Sequence, residues 1–347
     1  MQFRHLDITP PLLLAPMAGL THSALRTLLL SYGGVGLLST EMLSARSLPV
    51  ESEQASPFLV RTPGERPLCY QLLLTGDEEV APAMEALHRF GADGVDLNLG
   101  CPAPRVRKAG GGSALMDDPD RVRSLVRRVR CSTALPLSAK IRLGETLDEE
   151  KLVNFCRMLE GEGIDLLTVH ARLRGESFSR KPRWPWVARV KAAVSIPVVA
   201  NGGIFSVDDA RRCLDQSGAD GLMIGRAAAH FPWLFALLAR EIYGRDIPEP
   251  DVCPPVAFGR FVSALQARFR PERRLGRIKE FTHYLAVNYP FGHHLATAVQ
   301  SARSVEEAWR VAMDFFRRCD MEGVGRLEEE AGGLDLPADR YRSGGLK

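Results

Sequence analysis

Short apolar runs recur along the first two thirds of the chain, and each run ends in small or polar residues. The runs are apolar without strict alternation, which is typical of parallel strands that are covered on both faces. The sequence therefore predicts eight buried parallel strands. They lie at LLLAPM (12–17), GLLSTEM (36–42), LCYQLLL (68–74), GVDLNLG (94–100), PLSAKIRL (136–143), LLTVHA (166–171), IPVVANGG (196–203) and GLMIGR (221–226).

The stretches between these runs have the spacing of amphipathic helices. In DPDRVRSLVRRVR (118–130), Val122, Leu125, Val126 and Val129 fall on one face of a helix. Eight strand–helix units in succession predict an α/β fold, the (β/α)8 TIM barrel. A doubly wound sheet is the alternative, but its glycine-rich fingerprint would follow the first strand, and no such sequence stands there.

The chain changes character after the last of these units. The run YGRDIPEPDVCPP (243–255) is rich in proline and charge, which indicates a linker. Beyond it, apolar residues such as Phe258, Phe261 and Leu265 return at helical spacing. We expect these apolar residues, including the aromatic Phe258 and Phe261, to form the core of a small all-α domain. The predicted parts are a barrel domain over 1–242, the linker over 243–255, the helical domain over 256–330 and a disordered tail over 331–347.

The composition is that of an ordinary globular protein, with 45% hydrophobic and 25% charged residues among 347. The seven cysteines form no CxxC pair and no cluster with histidine, so the sequence predicts no metal site. Their scattered spacing suits reduced thiols, and no signal-like leader or membrane-spanning run is present, so we expect a cytoplasmic protein without a membrane partner. We also expect a monomer. The cysteines expected to be small buried residues are Cys69, Cys131, Cys156, Cys213 and Cys319.

Polar side chains gather where the predicted strands end. In a (β/α)8 barrel these C-terminal ends surround the active site. A lone lysine or histidine there is usually a solvated or hydrogen-bonded group, but an amide, a thiol, a lysine and a histidine on one rim indicate a catalytic site. In chain order the rim residues are Pro16, Met17, Ala18, Glu41, Gln71, Asn98, Cys101, Lys140, Arg142, His170, Arg172, Asn201, Gly202, Gly203, Gly225 and Arg226.

The last two strand ends have the character of a phosphate site. ANGG (200–203) and IGRA (224–227) offer bare glycine backbone and a cationic side chain where such barrels commonly hold phosphate. Glycine lets backbone N–H groups approach an anion closely, and Arg226 can bind one bidentately. Lys140 and His170, across the mouth, could stabilise negative charge on a reduced flavin ring. The pattern therefore predicts bound flavin mononucleotide (FMN).

Basic residues concentrate in three segments, although the formal net charge of the chain is only +3. Residues 101–130 carry eight basic residues against three acidic ones, residues 172–191 carry seven against one, and residues 257–303 carry eight against two. Two of these segments follow predicted strands, and the third lies in the helical domain. A run of charge is usually a solvated surface, but this distribution fits the backbone of a nucleic acid.

One motif combines these features. The stretch DLNLGCPAPRVRKAGGG (96–112) ends a strand on Asn98 and Cys101 and continues into a basic segment with three glycines. Together with LAPMAGLTHSALR (14–26), TVHAR (168–172) and VVANGGI (198–204), it resembles the tRNA-dihydrouridine synthases. The resemblance runs through the whole barrel. GRIKEFTHYLAVNY (276–289) and the three glycines are most similar to the bacterial subgroup that acts on position 16 of the tRNA D-loop.

The resemblance implies a flavin-bearing barrel, a helical RNA-binding domain, tRNA as the partner, and NADPH or NADH as the reductant. By position, Cys101 would be the catalytic acid and Asn98 would position the base, while Arg142 and Arg172 are candidates for substrate contacts. The residues expected to hold FMN are Pro16, Met17, Ala18, Gln71, Lys140, His170, Asn201, Gly202, Gly203, Gly225 and Arg226. The basic residues expected to contact the tRNA backbone are Arg105, Lys108, Arg273, Arg274 and Arg277.

The implied reaction explains the cysteine. Carbon 6 of uracil takes a hydride from the reduced flavin, and carbon 5 takes a proton from the opposite face. A cysteine thiol is mainly protonated at neutral pH and can donate that proton. Pro102 is expected to restrict the backbone after Cys101, and the glycines are expected to let the segment move over the substrate.

Two other functions use part of the same pattern. Another FMN barrel oxidoreductase, acting on a free pyrimidine or an enone as dihydroorotate dehydrogenases do, would share the phosphate site and the lysine but has no use for a basic helical domain. A non-catalytic tRNA-binding or chaperone protein built on a barrel would not need Asn98, Cys101, Lys140 and His170 together. The sequence favours tRNA reduction over both.

Overall fold

The computed structural model describes residues 1–52 and 56–331, and its centre is a closed parallel barrel. Eight strands follow one another in the order β3-β11-β10-β9-β8-β7-β6-β4, and a bridge between Leu13 and Leu37 closes the ring. Each predicted run contains one barrel strand, so the predicted (β/α)8 barrel is confirmed. The strands are β1 Gln2–Phe3, β2 Leu6–Asp7, β3 Leu12–Leu14, β4 Leu38–Ser39, β5 Leu43–Ser44, β6 Leu68–Leu73, β7 Gly94–Asn98, β8 Leu137–Arg142, β9 Leu166–His170, β10 Val198–Asn201 and β11 Gly221–Ile224.

The α-helices lie between successive barrel strands, except that the described residues between β4 and β6 form only β5 and a short 3-10 helix, Leu48–Val50; beyond the barrel, helices continue alone to the end of the described chain. They are α1 Ser23–Tyr32, α2 Val80–Arg89, α3 Pro104–Lys108, α4 Pro119–Ser132, α5 Glu149–Gly161, α6 Trp184–Ala193, α7 Val207–Ser217, α8 Ala227–His230, α9 Leu234–Glu241, α10 Pro254–Arg268, α11 Arg274–Leu285, α12 Gly292–Ser301, α13 Val305–Cys319 and α14 Met321–Ala331.

Helix α4 illustrates how the outer layer forms. Asp118 caps its first turn by accepting a hydrogen bond from the amide of Arg121 at 3.1 Å. Pro119 opens the helix, where its missing N–H costs nothing. The predicted apolar face is buried against the barrel, and Arg123, Arg127 and Arg128 on the other side of α4 are exposed to solvent.

An apolar plug fills the N-terminal end of the barrel. Phe3 and Ile8 come from the N-terminal β1–β2 hairpin, and they pack with Leu13, Leu166 and Val199 of the barrel strands in a separate buried cluster. The opposite end, where the strands finish, is therefore the end that can hold a polar pocket.

The helices after the barrel pack directly on it. Helix α10 lies against α1, and the side-chain amide of Asn288 donates to the carbonyl of His230 in α8 at 2.7 Å. The aromatic residues that the sequence assigned to this core, Phe258 and Phe261, are buried as expected, whereas Phe291 is 65% exposed. Phe261 and Phe281 are fully buried and stack with ring centroids 4.0 Å apart.

The boundaries of the helical part differ slightly from the prediction. Helix α10 begins at Pro254, inside the predicted linker, because proline suits the first turn of a helix. The helices also share one continuous hydrophobic core with the barrel, so their independence as a domain stays a prediction. The predicted tail, apart from Ala331 at the end of α14, lies outside the described residues. Among the residues that are described, no helix is long and apolar enough to cross a membrane.

Candidate active site

A pocket opens at the C-terminal ends of the barrel strands. Its lining includes every residue that the sequence assigned to catalysis or to FMN, and also Arg142 and Arg172. These residues come from seven strand ends, so the predicted convergence on one rim is real. Glu41 alone of the predicted rim residues does not line the pocket. Its carboxylate instead accepts a hydrogen bond at 2.6 Å from the amide of Gly19, in the loop that carries Pro16, Met17 and Ala18.

Lys140 stands on β8 inside the pocket. Its ammonium donates to Oδ1 of Asn201 at 2.9 Å, and the amide of Asn201 in turn donates to the carbonyl of Met223 at 2.8 Å. Burial lowers the pKa of Lys140 to about 8, and the nearby carboxylate of Asp96 partly opposes that shift. At neutral pH the lysine is therefore mainly cationic, and its charge faces the site.

A hydrogen-bonded chain runs from Asp96 to the turn that carries Cys101. Buried Asp96 accepts from Ser138 at 2.6 Å and from the amide of Gln71 at 2.7 Å. Gln71 then accepts from Nδ2 of Asn98 at 2.8 Å. Burial raises the pKa of Asp96, although both hydrogen bonds favour its ionised form. The chain fixes the side chain of Asn98 in one orientation.

The backbone around Cys101 is held at both ends. Oδ1 of Asn98 accepts from the Cys101 amide at 2.9 Å, and the amide of Ser113 donates to the Cys101 carbonyl at 3.0 Å. Between them, Gly112 has a φ of +59°, and a Cβ there would lie 2.7 Å from Val106 and 2.8 Å from the Cys101 carbonyl. The glycines expected to give mobility thus allow close packing beneath the cysteine.

His170 lies buried on the wall of the pocket. Its Nε2 is 3.0 Å from Nη1 of Arg172, and its ring stacks on Phe178 with centroids 6.0 Å apart and planes 16° apart. Burial and the positive charges of Lys140, Arg142, Arg172 and Arg226 hold the pKa of His170 well below its usual range. The ring is therefore neutral. Because a guanidinium only donates, Nε2 accepts and Nδ1 carries the proton.

Glycine turns and one arginine form the far side of the pocket. Gly202 and Gly203 have φ of +105° and +76°, which favours glycine. A Cβ on Gly202 would lie 2.6 Å from the His170 ring, and one on Gly203 would lie 2.6 Å from Pro182. Next to them, the guanidinium of Arg226 lies over the Phe178 ring, 4.5 Å from its centroid.

Arg142 and Arg172 are committed to the protein's own backbone. Arg172 donates to the carbonyls of Arg180 at 2.8 Å and Phe178 at 3.1 Å, and Arg142 donates to the carbonyl of Leu173 at 2.9 Å. Both arginines line the pocket but are nearly inaccessible to solvent. Their predicted substrate contacts remain predictions, and the structure shows that they order the loop after β9.

The other predicted substrate residues lie outside the pocket. Arg105 and Lys108 are exposed on α3, four and seven residues beyond Cys101, and Arg273 is exposed before α11. Arg274 instead donates to the carbonyls of Phe269 at 2.6 Å and Gln266 at 2.9 Å, while half-buried Arg277 lies over the Phe269 ring. These two arginines therefore fasten α11 to the end of α10.

Sequence reasoning missed Phe178 in the pocket lining and Asp96, which hydrogen-bonds to the pocket residue Gln71. Phe178 is half exposed at the mouth, where it contacts His170, Arg142 and Arg226. A lone aromatic residue in a basic loop was the available signal. Asp96 was the other, and its signal was a carboxylate inside an otherwise apolar strand, a position that requires hydrogen-bond partners.

The remaining cysteines are only partly as expected. Cys69, Cys156 and Cys213 are buried, but Cys131 and Cys319 are exposed, so the prediction for these two is wrong. Both stand in the last turns of α4 and α13, where the helix ends face solvent. No group of three or more His, Cys, Asp or Glu side chains in the described part of the chain could hold a metal ion.

Comparisons with known proteins agree with this geometry. A family model described as "Dihydrouridine synthase (Dus)" matches residues 13–316. The chain is 37% identical over 290 residues to a Pseudomonas putida "tRNA-dihydrouridine(16) synthase", covering 80% of this chain and 88% of that protein. It is 36% identical over 272 residues to the Klebsiella pneumoniae "tRNA-dihydrouridine synthase B", covering 78% and 82%. A solved 2-naphthoyl-CoA reductase complex shares the fold, with a TM-score of 0.54 at 13% identity over 76% of this chain and 55% of that one.

Proposed function

Because the chain belongs to the dihydrouridine synthase family, whose members are flavin-dependent oxidoreductases acting on tRNA, we propose that it reduces a tRNA uridine to 5,6-dihydrouridine with FMN and NADPH or NADH. One observation carries the proposal furthest. A lysine, a neutral histidine, a cysteine turn and two left-handed glycines line a single pocket at the active-site end of the barrel. Exposed basic residues stand on α3, just beyond the cysteine.

The residues present fit FMN. Gly202 and Gly203 form a cradle that a Cβ would fill, and their bare backbone beside Arg226 suits a phosphate. Pro16, Met17 and Ala18 supply an apolar wall to the same pocket. When bound, FMN would supply the hydride that carbon 6 of uracil accepts. The residues that would hold it are Pro16, Met17, Ala18, Gln71, Lys140, His170, Asn201, Gly202, Gly203, Gly225 and Arg226.

Cys101 is the proposed source of the proton for carbon 5. Its backbone is held on both sides, so the side chain keeps a defined place on the pocket wall. Lys140 and Arg142 are close enough to interact electrostatically with the thiolate that remains after proton transfer. His170 does not compete as the acid, because its lowered pKa leaves it without a second proton at neutral pH. Asn98 acts by orienting the Cys101 turn and is proposed to contact the base as well.

We propose that the tRNA backbone runs over the exposed cations outside the pocket. We also propose that the protein acts in the cytoplasm. Arg105, Lys108 and Arg273 are accessible for such contacts. Drawing the uridine out of its stack would cost a few kcal/mol, roughly, which phosphate contacts must offset. Position 16 of the D-loop is the proposed target, on the motifs of residues 110–112 and 276–289.

Mapping of dihydrouridine tests this function. tRNA from a strain that lacks the gene is incubated with the FMN-loaded protein and NADPH, and the modified positions are read by primer extension. Dihydrouridine at position 16 alone is the expected result. Modification at another D-loop uridine would contradict the position but not the reaction. Reduction of free orotate without reduction of tRNA would replace the proposal by the alternative FMN oxidoreductase.

A further inference from the structure

One buried arginine joins three neighbouring loops at the active-site end of the barrel. Arg174 lies in the loop after β9 and is only 5% exposed. Its Nη1 and Nη2 bind the two carboxylate oxygens of Asp117 at 2.8 and 2.6 Å, and Nη2 also donates to the carbonyl of Ser113 at 2.7 Å. Nη1 lies 2.9 Å from the carboxylate of Glu145, in the loop after β8.

The loop after β7 carries both of the first two partners, and it is the loop of the cysteine. Ser113, whose carbonyl accepts from Arg174, uses its amide to donate to the carbonyl of Cys101 at 3.0 Å. Ser113 alone therefore links the guanidinium of Arg174 to the backbone of Cys101, the proposed acid. Asn98 holds the other side of the same turn.

Both partners of the ion pair are charged at neutral pH. The guanidinium of Arg174 holds the pKa of Asp117 below its usual range. A forked guanidinium can bind two carboxylate oxygens and a carbonyl at once, which a lysine ammonium cannot reproduce with the same geometry. The contact is thus specific to arginine and links the wall that carries His170 to the segment that carries Cys101.

We propose that Arg174 is a positioning residue that acts through Ser113 and Asp117 to hold Cys101 where its thiol reaches the substrate. This rests on the proposed function, because it takes Cys101 to be the acid. We call the bonds of Arg174 to Asp117 and Ser113 the clamp. Without it, residues 101–118 would stay attached through Asn98 and through the packing of Gly112, but the Cys101 turn would lose one of its supports. A displacement of about 1 Å can slow a reaction about 10²-fold.

Thiol alkylation tests the clamp without using tRNA. The FMN-loaded protein is treated with iodoacetamide, and mass spectrometry follows the Cys101 peptide separately from those of exposed Cys131 and Cys319. Arg174→Gln and Asp117→Asn should each speed alkylation of Cys101 severalfold. Arg183→Gln is the matched control, because Arg183 binds Glu176 bidentately at 2.5 and 2.6 Å in the same loop but has no such bond to residues 101–118. It should leave the Cys101 alkylation rate unchanged.

Half-reactions then separate positioning from folding. In Arg174→Gln, NADPH should bleach the flavin at the wild-type rate, while oxidation of the reduced flavin by tRNA should slow about 10- to 10²-fold. Arg174→Lys should recover only part of the loss. In a Cys101→Ala background, Arg174→Gln should cause no further slowing, because the group that it positions is gone.

The outcomes are decisive in either direction. Faster alkylation together with a slower tRNA half-reaction supports the proposal. Unchanged alkylation, or equal slowing of both half-reactions with a lower melting temperature, overturns it. If Cys101→Ala itself reduces tRNA at the wild-type rate, the proposed acid is wrong, and the alkylation result alone then decides whether Arg174 orders the segment.

Discussion

At the scale of single residues, burial decides which groups in the pocket carry charge. Lys140 and His170 stand on adjacent strands, yet the first keeps its proton near neutrality and the second does not. Burial lowers the pKa of both groups. The carboxylate of Asp96 partly opposes this shift for Lys140, whereas four cationic neighbours lower the pKa of His170 further. The pocket thus offers one buried ammonium and one neutral imidazole, which suits stabilisation of an anionic reduced flavin.

Lys140 gives the site a pH dependence with a defined sign. Its pKa in the folded protein is about 8, so its positive charge is present below that pH and is lost as the pH rises through it. We expect the rate of flavin bleaching by NADPH to fall with a midpoint near pH 8. In Lys140→Met the rate should be lower and flat across that range. Stopped-flow absorbance under anaerobic conditions measures both, and the same midpoint in the variant would assign the titration to another group.

The sequence predicted these pocket residues because barrel geometry brings strand ends together whatever lies between them. It could not predict the links among them. That Gln71 connects Asp96 to Asn98 depends on the register of β6 against β7, which sequence spacing does not reveal. The bonds of Arg142 and Arg172 were also unpredictable, because their carbonyl partners lie in a loop whose path only the structure gives. The sequence therefore indicated only that these arginines were candidates for substrate contacts.

At the scale of elements, the segment after β7 is a packed support and not an open loop. A short helix, α3, takes up the basic residues, and the three glycines follow it. A Cβ on Gly111 would lie 2.8 Å from Leu73, and one on Gly112 would meet Val106 and the Cys101 carbonyl. The sequence predicted that the glycines make this segment mobile. The absence of a side chain also lets neighbouring atoms approach the glycine backbone closely, and the structure shows this close packing.

Gly112→Ala tests this use of glycine against a matched control. Gly218 has nearly the same φ, +58° against +59°, but a Cβ there would meet nothing within 4 Å. Gly218→Ala should therefore cost about 1–2 kcal/mol of folding free energy from backbone strain alone. Gly112→Ala should cost about 1–3 kcal/mol more from overpacking and should also slow the oxidation of reduced flavin by tRNA. Chemical denaturation measures the loss of folding free energy, and single-turnover kinetics measure the oxidation rate. Equal losses of stability and equal rates in the two variants would contradict the packing role of Gly112.

At the scale of the whole molecule, the barrel was predictable and its attachment to the helices was not. Eight apolar runs of parallel-strand character suffice for the barrel, because each run must be buried on both faces. The docking of α10 on α1 leaves no such periodic signal, since it depends on which helix faces meet. That docking turns part of α11 inward, which is why Arg274 and Arg277 bind the protein and only Arg273 of the three is exposed.

The exposed cations predict how salt affects tRNA binding. Replacing Arg105, Lys108 and Arg273 by glutamine should weaken binding and lower the slope of log K against log salt by about 0.7–0.9 for each lost phosphate contact. The matched control replaces Arg89, Arg157 and Arg211, which are also exposed but lie on outer barrel helices. Its slope should equal that of the wild type. Equal slopes in both triple variants would mean that the three cations are a solvated surface.

Single-turnover oxidation of the reduced flavin by tRNA tests the central claim most directly. The FMN-loaded protein is bleached with NADPH without oxygen and mixed with tRNA that lacks dihydrouridine. We expect the flavin colour to return as dihydrouridine forms. In Cys101→Ala, FMN should bind and bleach normally, but the return should be about 10²–10⁴-fold slower, and Cys101→Ser should do little better because a serine hydroxyl is a weaker acid. Wild-type rates in these variants would contradict the account.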